Sequence, residues 1–404
     1  MDKTYRYALS ITSQFFFCGI PFRLDSSSIC SFGCKYCFAL AKSGNRGNGL
    51  QLANVDAISR KIELANSNGS RELDINGEML KHKMPLHIGG ISDPFANKKV
   101  SEISFKLLEV LCRHKYPIVI STKNPNYLLQ TRVLNLIKSN PNLVIQISIS
   151  TSDQEKIKII EPHTNSANER IKCISILSNE GLIVYARLQP LFMPWITDLT
   201  NDLIPRLGEA NCKHVSVEFL KLSIEKRTSE RLKKVLNAIG WNAYQDYSYY
   251  KASLLSREWV LNPSFKWDII QPILAAIRKE GMTYGAADLG LNHLGDTNCC
   301  CGIDRLPGFE GWFMGNFSNV IRNCSSSDIL FTEVSQHWMS EKSILMYVNS
   351  HCRSKGSLTT LDLLRDKWNR PGTVNAPNTF LGISWSGTYD SSGNCIYTKS
   401  KIPT

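Results

Sequence analysis

Between residues 85 and 290, short apolar runs alternate with amphipathic stretches of helical length, and this alternation constrains the fold more than any other feature. Leu86-His87-Ile88-Gly89-Gly90 reads as a buried strand ending in glycines. A helix around 104–113 leads to a strand over 117–121. Asn124-Pro125 fits a cap with proline at the first helical position and predicts a helix to about Lys138. Further strands are predicted at 144–149, 182–187, 214–219 and 283–286, with helices near 167–179, 199–209 and 267–279 between them. Strands and helices at this spacing make βαβ units, and hence a parallel sheet with right-handed crossovers. There is no glycine fingerprint for a pyrophosphate, so an α/β fold of the partial or full β/α-barrel type fits better than a dinucleotide-binding one. Chemistry in such barrels sits at the carboxyl ends of the strands. That rule singles out Ser92 and Asp93, Thr122 and Lys123, Ser150 and Thr151, Arg187 to Pro190, and Glu218.

The 404 residues suffice for one large α/β domain and a small appendage. The boundary is expected at a change of character after Cys324, giving a barrel over 1–324 and a small α+β region over 325–404. Ser325-Ser326-Ser327-Asp328 reads as a linker. Helices near 340–350 and 358–368 and a hairpin of 380–384 with 395–397 would follow. No apolar run is long enough to cross a bilayer, and the start lacks the apolar core of a signal peptide, so a cytoplasmic location without a membrane partner is expected.

In a reducing compartment, 13 cysteines are not a disulfide framework, and clustered ones point to metal or redox chemistry. The first cluster is Cys30-Ser31-Phe32-Gly33-Cys34-Lys35-Tyr36-Cys37-Phe38. Three thiolates so close in sequence converge only if the backbone wraps around one point, which Gly33 and the small residues 26–28 permit. A cubane iron–sulfur cluster ordinarily takes four cysteines, so three leave one iron open. Phe32, Tyr36 and Phe38 would shield such a cluster. The competing reading of the spacing is a zinc site completed by a histidine elsewhere.

The pattern C-x3-C-x-aromatic-C, carried by Cys30, Cys34, Tyr36 and Cys37, resembles the signature of the radical S-adenosylmethionine superfamily. That resemblance implies a partial (β/α)6-type barrel and a [4Fe-4S] cluster whose open iron is chelated by S-adenosylmethionine. It also implies a one-electron reductant such as flavodoxin or ferredoxin, and cleavage to a 5′-deoxyadenosyl radical that abstracts hydrogen from a substrate. Over roughly residues 20–200 the chain is similar to the spore photoproduct lyase-like group, often described as DNA repair photolyase-like. The residues that carry this likeness are Ser92-Asp93-Pro94, Ser121-Thr122-Lys123, Glu161-Pro162 with Arg170, and Arg187-Leu188-Gln189-Pro190. It implies that Gly89, Gly90 and Ser92 lie near the methionine amino group, and Ser148, Ser150 and Arg187 near the ribose and carboxylate. Asp93, Thr122 and Lys123 complete the expected cofactor-binding set. As residue types, Arg187 suits a carboxylate fork or a surface ion pair, Lys123 is similar, and Asp93 before Pro94 suits a turn. No cysteine aligns with the hydrogen-donor thiol of the better-known lyase, so repair of a thymine dimer is not implied.

The second cluster, Cys299-Cys300-Cys301, follows the last predicted strand. Adjacent thiolates point in different directions, so one ion would take two of them with Cys324 or His293. A second iron–sulfur cluster, a zinc site, a hydrogen-delivering thiol and plain structural cysteines all remain open. Asp288, Asn292 and His293 could face a substrate from the same strand end.

A net charge of +12 fits a polyanionic partner and equally a solvated basic surface, with a local concentration from Lys221 to Lys234. Trp241, Tyr244, Tyr247, Tyr249 and Tyr250 could stack bases or pack an inserted loop. Three functions follow. One is a radical enzyme acting on nucleic acid or a nucleotide. The second is the same chemistry on a peptide or small metabolite, with auxiliary clusters. The third is a zinc-stabilised nucleic-acid-binding protein without catalysis.

Overall fold

The computed structural model describes residues 4–12, 14–37, 39, 49–67, 73–250, 252–255, 258–288, 290–338, 359–373, 376–381 and 383–399. The sequence expectations for Phe38, for a helix at 340–350 and for Gly382 lie outside them. Seven strands come first in the chain: β1 (Leu9–Ile11), β2 (Phe22–Leu24), β3 (Leu86–Ile88), β4 (Ile118–Thr122), β5 (Leu143–Ser148), β6 (Ile183–Leu191) and β7 (His214–Phe219). An insertion then adds a small antiparallel sheet of β8 (Leu222–Ser223), β9 (Ser253–Leu255) and β10 (Glu258–Val260). The chain returns with β11 (Thr283–Ala286), which pairs with β7. The main sheet therefore runs in order from β1 to β7 and ends at β11. Only the β1–β2 pair is antiparallel; every other neighbouring pair is parallel.

Parallel neighbours in unbroken order require every crossover to turn the same way, which puts the helices on one face and curves the sheet into an open β/α barrel. The side-chain parity agrees. Ile118, Ile120, Ile145, Ile147, Val184 and Ala186 share a core with the helix residues Leu107, Leu111, Ile137, Ile174 and Leu177. These come from α3 (Lys98–Arg113), Thr131–Lys138 and Ala167–Asn179. The alternate residues Val119, Val144 and Tyr185 face the concave side. There they meet Ile20, Cys299, Cys301, Ile303, Phe309 and Trp312, which close the barrel at the amino ends of its strands.

Local chemistry explains where the helices begin. Ser166 and Glu169 form a reciprocal capping box at Ala167–Asn179. Asn97 caps α3 through Val100 N. Asn124 behaves differently from the expectation. Its side chain donates to the Phe95 carbonyl at 2.8 Å and makes no cap. The segment consequently starts as a 3-10 turn, Pro125–Leu129, and becomes α-helical only over Thr131–Lys138.

Near the carboxyl terminus, β12 (Asp328–Ile329), β13 (Ser384–Tyr389) and β14 (Cys395–Thr398) form a sheet with β14 in the middle. Phe380, expected to begin a strand over 380–384, instead ends a helical turn, Pro377–Phe380, and the strand begins at Ser384. Trp368 is fully buried; it donates to the Cys395 carbonyl at 2.6 Å and packs edge-on to Phe317 and Tyr397. Trp368→Ala should cost about 3–5 kcal/mol in urea unfolding; a loss under about 1 kcal/mol would show that these strands are anchored by other contacts. No helix among the described residues is long and apolar enough to cross a membrane.

Candidate functional site

The cysteine loop is tied to the strand ends of the barrel by a buried seam. Past β2, the Asp25 carboxylate is buried and accepts from Ile91 N at 2.7 Å and Ser92 N at 3.4 Å, with Arg23 Nε at 3.4 Å. Ser92 Oγ donates to the Ser27 carbonyl at 2.7 Å, and Ser26 Oγ pairs with Ser104 Oγ at 2.7 Å. These bonds fix the loop after β3 against the segment entering the cysteines. Gly89 has a φ of +92°, and a Cβ there would lie 2.2 Å from the Ser121 carbonyl oxygen, so only glycine fits.

Within the loop, Gly33 takes a positive φ, Lys35 N donates to the Ile160 carbonyl at 2.9 Å, and Cys37 N donates to the Cys34 carbonyl at 3.2 Å. Ser31 Oγ donates to the Ala96 carbonyl at 2.9 Å. Burial pushes the Cys30 thiol up to about 11, helped by the Asp93 carboxylate and opposed by the Phe32 and Asp93 backbone N–H groups. Burial and then Glu161 push the Cys34 thiol up to about 12, Lys123 opposes, and Cys30 and Cys37 add to the rise. Cys30 and Cys34, with their thiols raised by burial, would become thiolates only beside a strong cationic centre. Among the described residues, no three or more His, Cys, Asp or Glu side chains converge closely enough to ligate a single metal ion. A zinc ion would need its sulfurs about 2.3 Å from one centre, whereas the corners of a cluster distribute them over separate irons.

Beside Cys34 lies a buried ionic network. Glu161 and Arg170 have no exposed side-chain surface, and Arg170 Nη1 stands 2.6 Å from Glu161 Oε2. Glu161 Oε1 accepts from Lys123 Nζ at 2.9 Å and from the Tyr36 hydroxyl. Arg170 also donates to the Ser148 and Asn165 carbonyls, both at 2.9 Å, and to Thr164 Oγ1. Tyr36 packs edge-on to Phe192, and Lys123 Nζ lies 5.6 Å from the centre of its ring. Asp93 and Thr122 engage each other: Thr122 Oγ1 donates to Asp93 Oδ1 at 2.9 Å, and Lys123 N donates to Asp93 Oδ2 at 2.6 Å.

The concave face carries a polar layer where a closed barrel would carry branched aliphatics. Arg187 pairs in register with Ser148 on one side and Ser216 on the other. It donates to Ser121 Oγ at 3.0 Å and to Gln189 Oε1 at 3.1 Å. His87 Nε2 is 2.7 Å from Ser121 Oγ, which donates to Gln146 Oε1 at 3.0 Å. Burial, then the charges of Arg187 and Arg23, hold His87 down to about 3, so it is neutral. Among the described residues no carboxylate pairs with Arg187, and the buried atoms Gln146 Nε2 and Ser150 Oγ have no partner. A half-buried guanidinium without a counter-ion, near two orphaned polar atoms, is suited to an anionic ligand with further acceptors and donors.

The second cysteine cluster lies on the barrel floor. A Cβ on Gly285 would meet the Cys300 carbonyl oxygen at 2.1 Å, and His214 Nε2 lies 2.9 Å from that oxygen. Cys300 Sγ is 3.9 Å from Cys301 Sγ, while Cys299 Sγ donates to Asp304 Oδ1 at 3.5 Å. Cys324 faces other groups, the Asp328 carbonyl at 3.3 Å and Glu333 Oε1 at 3.4 Å. Asp288 accepts from Phe219 N at 2.7 Å and Lys266 Nζ at 3.1 Å, and His293 lines a small hollow with Asn292 and Ser318. Of the aromatics at 241–250, Trp241 and Tyr247 are buried, Tyr244 bonds Thr228 and Tyr250 stacks on Phe265; Tyr249 is 76 % exposed. Glu218 is paired with Lys221 at 2.8 Å.

Asp25, His87 and Gln146 were missed as site residues. A signal for the last existed: Gln146 and Ser148 put polar groups at every second position of an otherwise apolar strand.

No protein-family model matches the chain, and no curated protein matches it. Among solved structures, the chain is similar to spore photoproduct lyase complexed with dinucleoside spore photoproduct, at 15% identity, over 68% of this chain and 76% of that one, with a TM-score of 0.47. A mutant of that lyase with bound AdoMet and the same dinucleoside gives 14% identity, 69% and 77% coverage, and a TM-score of 0.49. Streptococcus suis SuiB bound to S-adenosylmethionine gives 15% identity, 55% and 48% coverage, and a TM-score of 0.36.

Proposed function

We propose that this chain is a radical S-adenosylmethionine enzyme, with Cys30, Cys34 and Cys37 holding a [4Fe-4S] cluster at the carboxyl ends of the barrel strands. The observation that carries the reading is a three-thiol loop bonded to the strand ends of an open β/α barrel whose concave face holds Arg187, which no carboxylate among the described residues pairs with. When bound, the cluster and S-adenosylmethionine supply a 5′-deoxyadenosyl radical that abstracts hydrogen from the substrate.

The residues divide the work of holding that cofactor. Gly89 and Gly90 bring backbone close to the methionine amino group, and Ser92, with its hydroxyl on the Ser27 carbonyl, secures them to the cysteine loop. Ser150 Oγ is free for the ribose, beside Ser148 at the end of β5, and Arg187 offers its fork to the carboxylate. Lys123 pairs with Glu161 and lies over the Tyr36 ring of the cysteine loop, and Asp93 and Thr122 set its backbone. Losing a charge-assisted hydrogen bond costs about 1.5–3 kcal/mol. Arg187→Met should therefore raise the S-adenosylmethionine concentration for half-maximal cleavage about tenfold or more. An unchanged requirement would remove Arg187 from the cofactor site.

A nucleic acid or nucleotide is the substrate class we favour, because the chain carries a net charge of +12. The protein acts in the cytoplasm, with an electron from a flavodoxin- or ferredoxin-type partner. The test is anaerobic incubation of iron-loaded protein with a reductant and S-adenosylmethionine, reading 5′-deoxyadenosine by chromatography. Iron-loaded protein that makes none refutes the reading. Retention on DNA or RNA that falls steeply with salt supports the polyanionic substrate; salt-independent behaviour turns the search to a peptide or metabolite.

A further inference from the structure

Glu161 divides its two carboxylate oxygens between different tasks. Oε2 faces Arg170, whose remaining N–H groups go to the Ser148 and Asn165 carbonyls and to Thr164. That half is a structural clamp between the end of β5 and the helix Ala167–Asn179. Oε1 faces the opposite way and gathers the Tyr36 hydroxyl, one residue before Cys37, and the Lys123 ammonium at 2.9 Å. An arginine–carboxylate pair serving the fold alone would close both oxygens on the guanidinium fork. Here one oxygen is given to the cysteine loop.

The formal charges make the arrangement directional. Arg170 and Lys123 contribute two positive charges and Glu161 one negative, all at side chains no more than 15% exposed. Glu161 and Lys123 thus act on Cys34 in opposite directions, Glu161 the more strongly, with the Asp93 carboxylate beside Cys30, in surroundings where charge is poorly screened. We propose that Glu161 is a positioning residue for the iron–sulfur cluster: it fixes Tyr36 and Lys123 beside the cysteine loop and sets the local charge that tunes the cluster's reduction potential. The inference rests on the cluster reading given above. It assigns to Glu161, Lys123 and Tyr36 together a role in the cluster's electronics, exerted without ligating iron.

Opposite charge changes should move the potential in opposite directions. Glu161→Gln removes a negative charge, stabilises the reduced, more negative cluster, and raises the midpoint potential. Lys123→Met removes a positive charge and lowers it, while leaving Glu161 paired with Arg170, so this variant folds even if the first does not. Tyr36→Phe changes no charge but frees the loop, and should speed loss of iron to a chelator with a smaller shift in potential than either charge variant. The measurement is a potentiometric titration of the iron-loaded full chain without S-adenosylmethionine, followed by electron paramagnetic resonance. A rise for Glu161→Gln with a fall for Lys123→Met supports the proposal. If Glu161→Gln does not fold, a fall for Lys123→Met supports it alone. A loaded cluster whose potential is unmoved by Lys123→Met, or moves the same way in both variants, overturns it. A wild-type chain that takes up no iron overturns the cluster reading and this inference together.

Discussion

Cys34→Ala is expected to leave the barrel folded and to abolish cleavage of S-adenosylmethionine, by at least about a hundredfold. Cys34 is buried in the middle of the loop, and its thiol is raised by that burial first and then by Glu161, with Cys30 and Cys37 adding less. Two thiolates hold an iron–sulfur cluster poorly, so iron content should fall along with 5′-deoxyadenosine production. Truncating a small buried side chain costs on the order of 1 kcal/mol, within what a chain of this size tolerates. Iron analysis and a thermal melt on the same preparation separate loss of the cluster from loss of the fold. Persistent cleavage in this variant would remove the loop from the chemistry.

Arg170→Met is expected to destabilise the chain by about 3–5 kcal/mol in urea, because it leaves the buried Glu161 carboxylate without its main counter-charge. Burial alone would raise that carboxyl, but Arg170 first and Lys123 next outweigh it, holding it at about 2 against an ordinary 4.5. A carboxyl depressed in the fold contributes stability above its unfolded value, and that contribution is lost as pH falls from 4.5 toward 2. Its size, at 1.36 kcal/mol per unit, is about 3 kcal/mol. Unfolding measured between pH 6 and pH 3 should show stability falling with acid in the wild type and a much shallower fall in Arg170→Met. Parallel curves would mean that other carboxylates govern acid unfolding.

Much of this was written in local pattern. The strand runs at 117–121, 144–149 and 214–219 fall within a residue of the observed strands: the first is an apolar run, and the other two carry β-branched residues interleaved with polar ones at the period of a strand. The helix near 167–179 was equally plain, since Ser166 and Glu169 mark its start. Asn124 misled because its side chain had a tertiary partner, the Phe95 carbonyl, that no local signal announces. Glu161 and Arg170 stood out only through family likeness; that they meet, and that Lys123 and Tyr36 join them, depends on three separate crossovers. Asp25 was hidden for the same reason, its partners at Ile91 and Ser92 lying more than sixty residues away. The packing of Cys299 and Cys301 against Ile20 and Trp312 on the barrel floor was likewise beyond any spacing argument.

The most direct measurement is electron paramagnetic resonance of the anaerobically reconstituted, reduced protein, with and without S-adenosylmethionine, alongside metal analysis. The account predicts about four irons per chain and a cluster signal whose shape changes when S-adenosylmethionine is added, as ligation at an open iron requires. Stoichiometric zinc with no cluster signal, or a signal indifferent to S-adenosylmethionine, would contradict it.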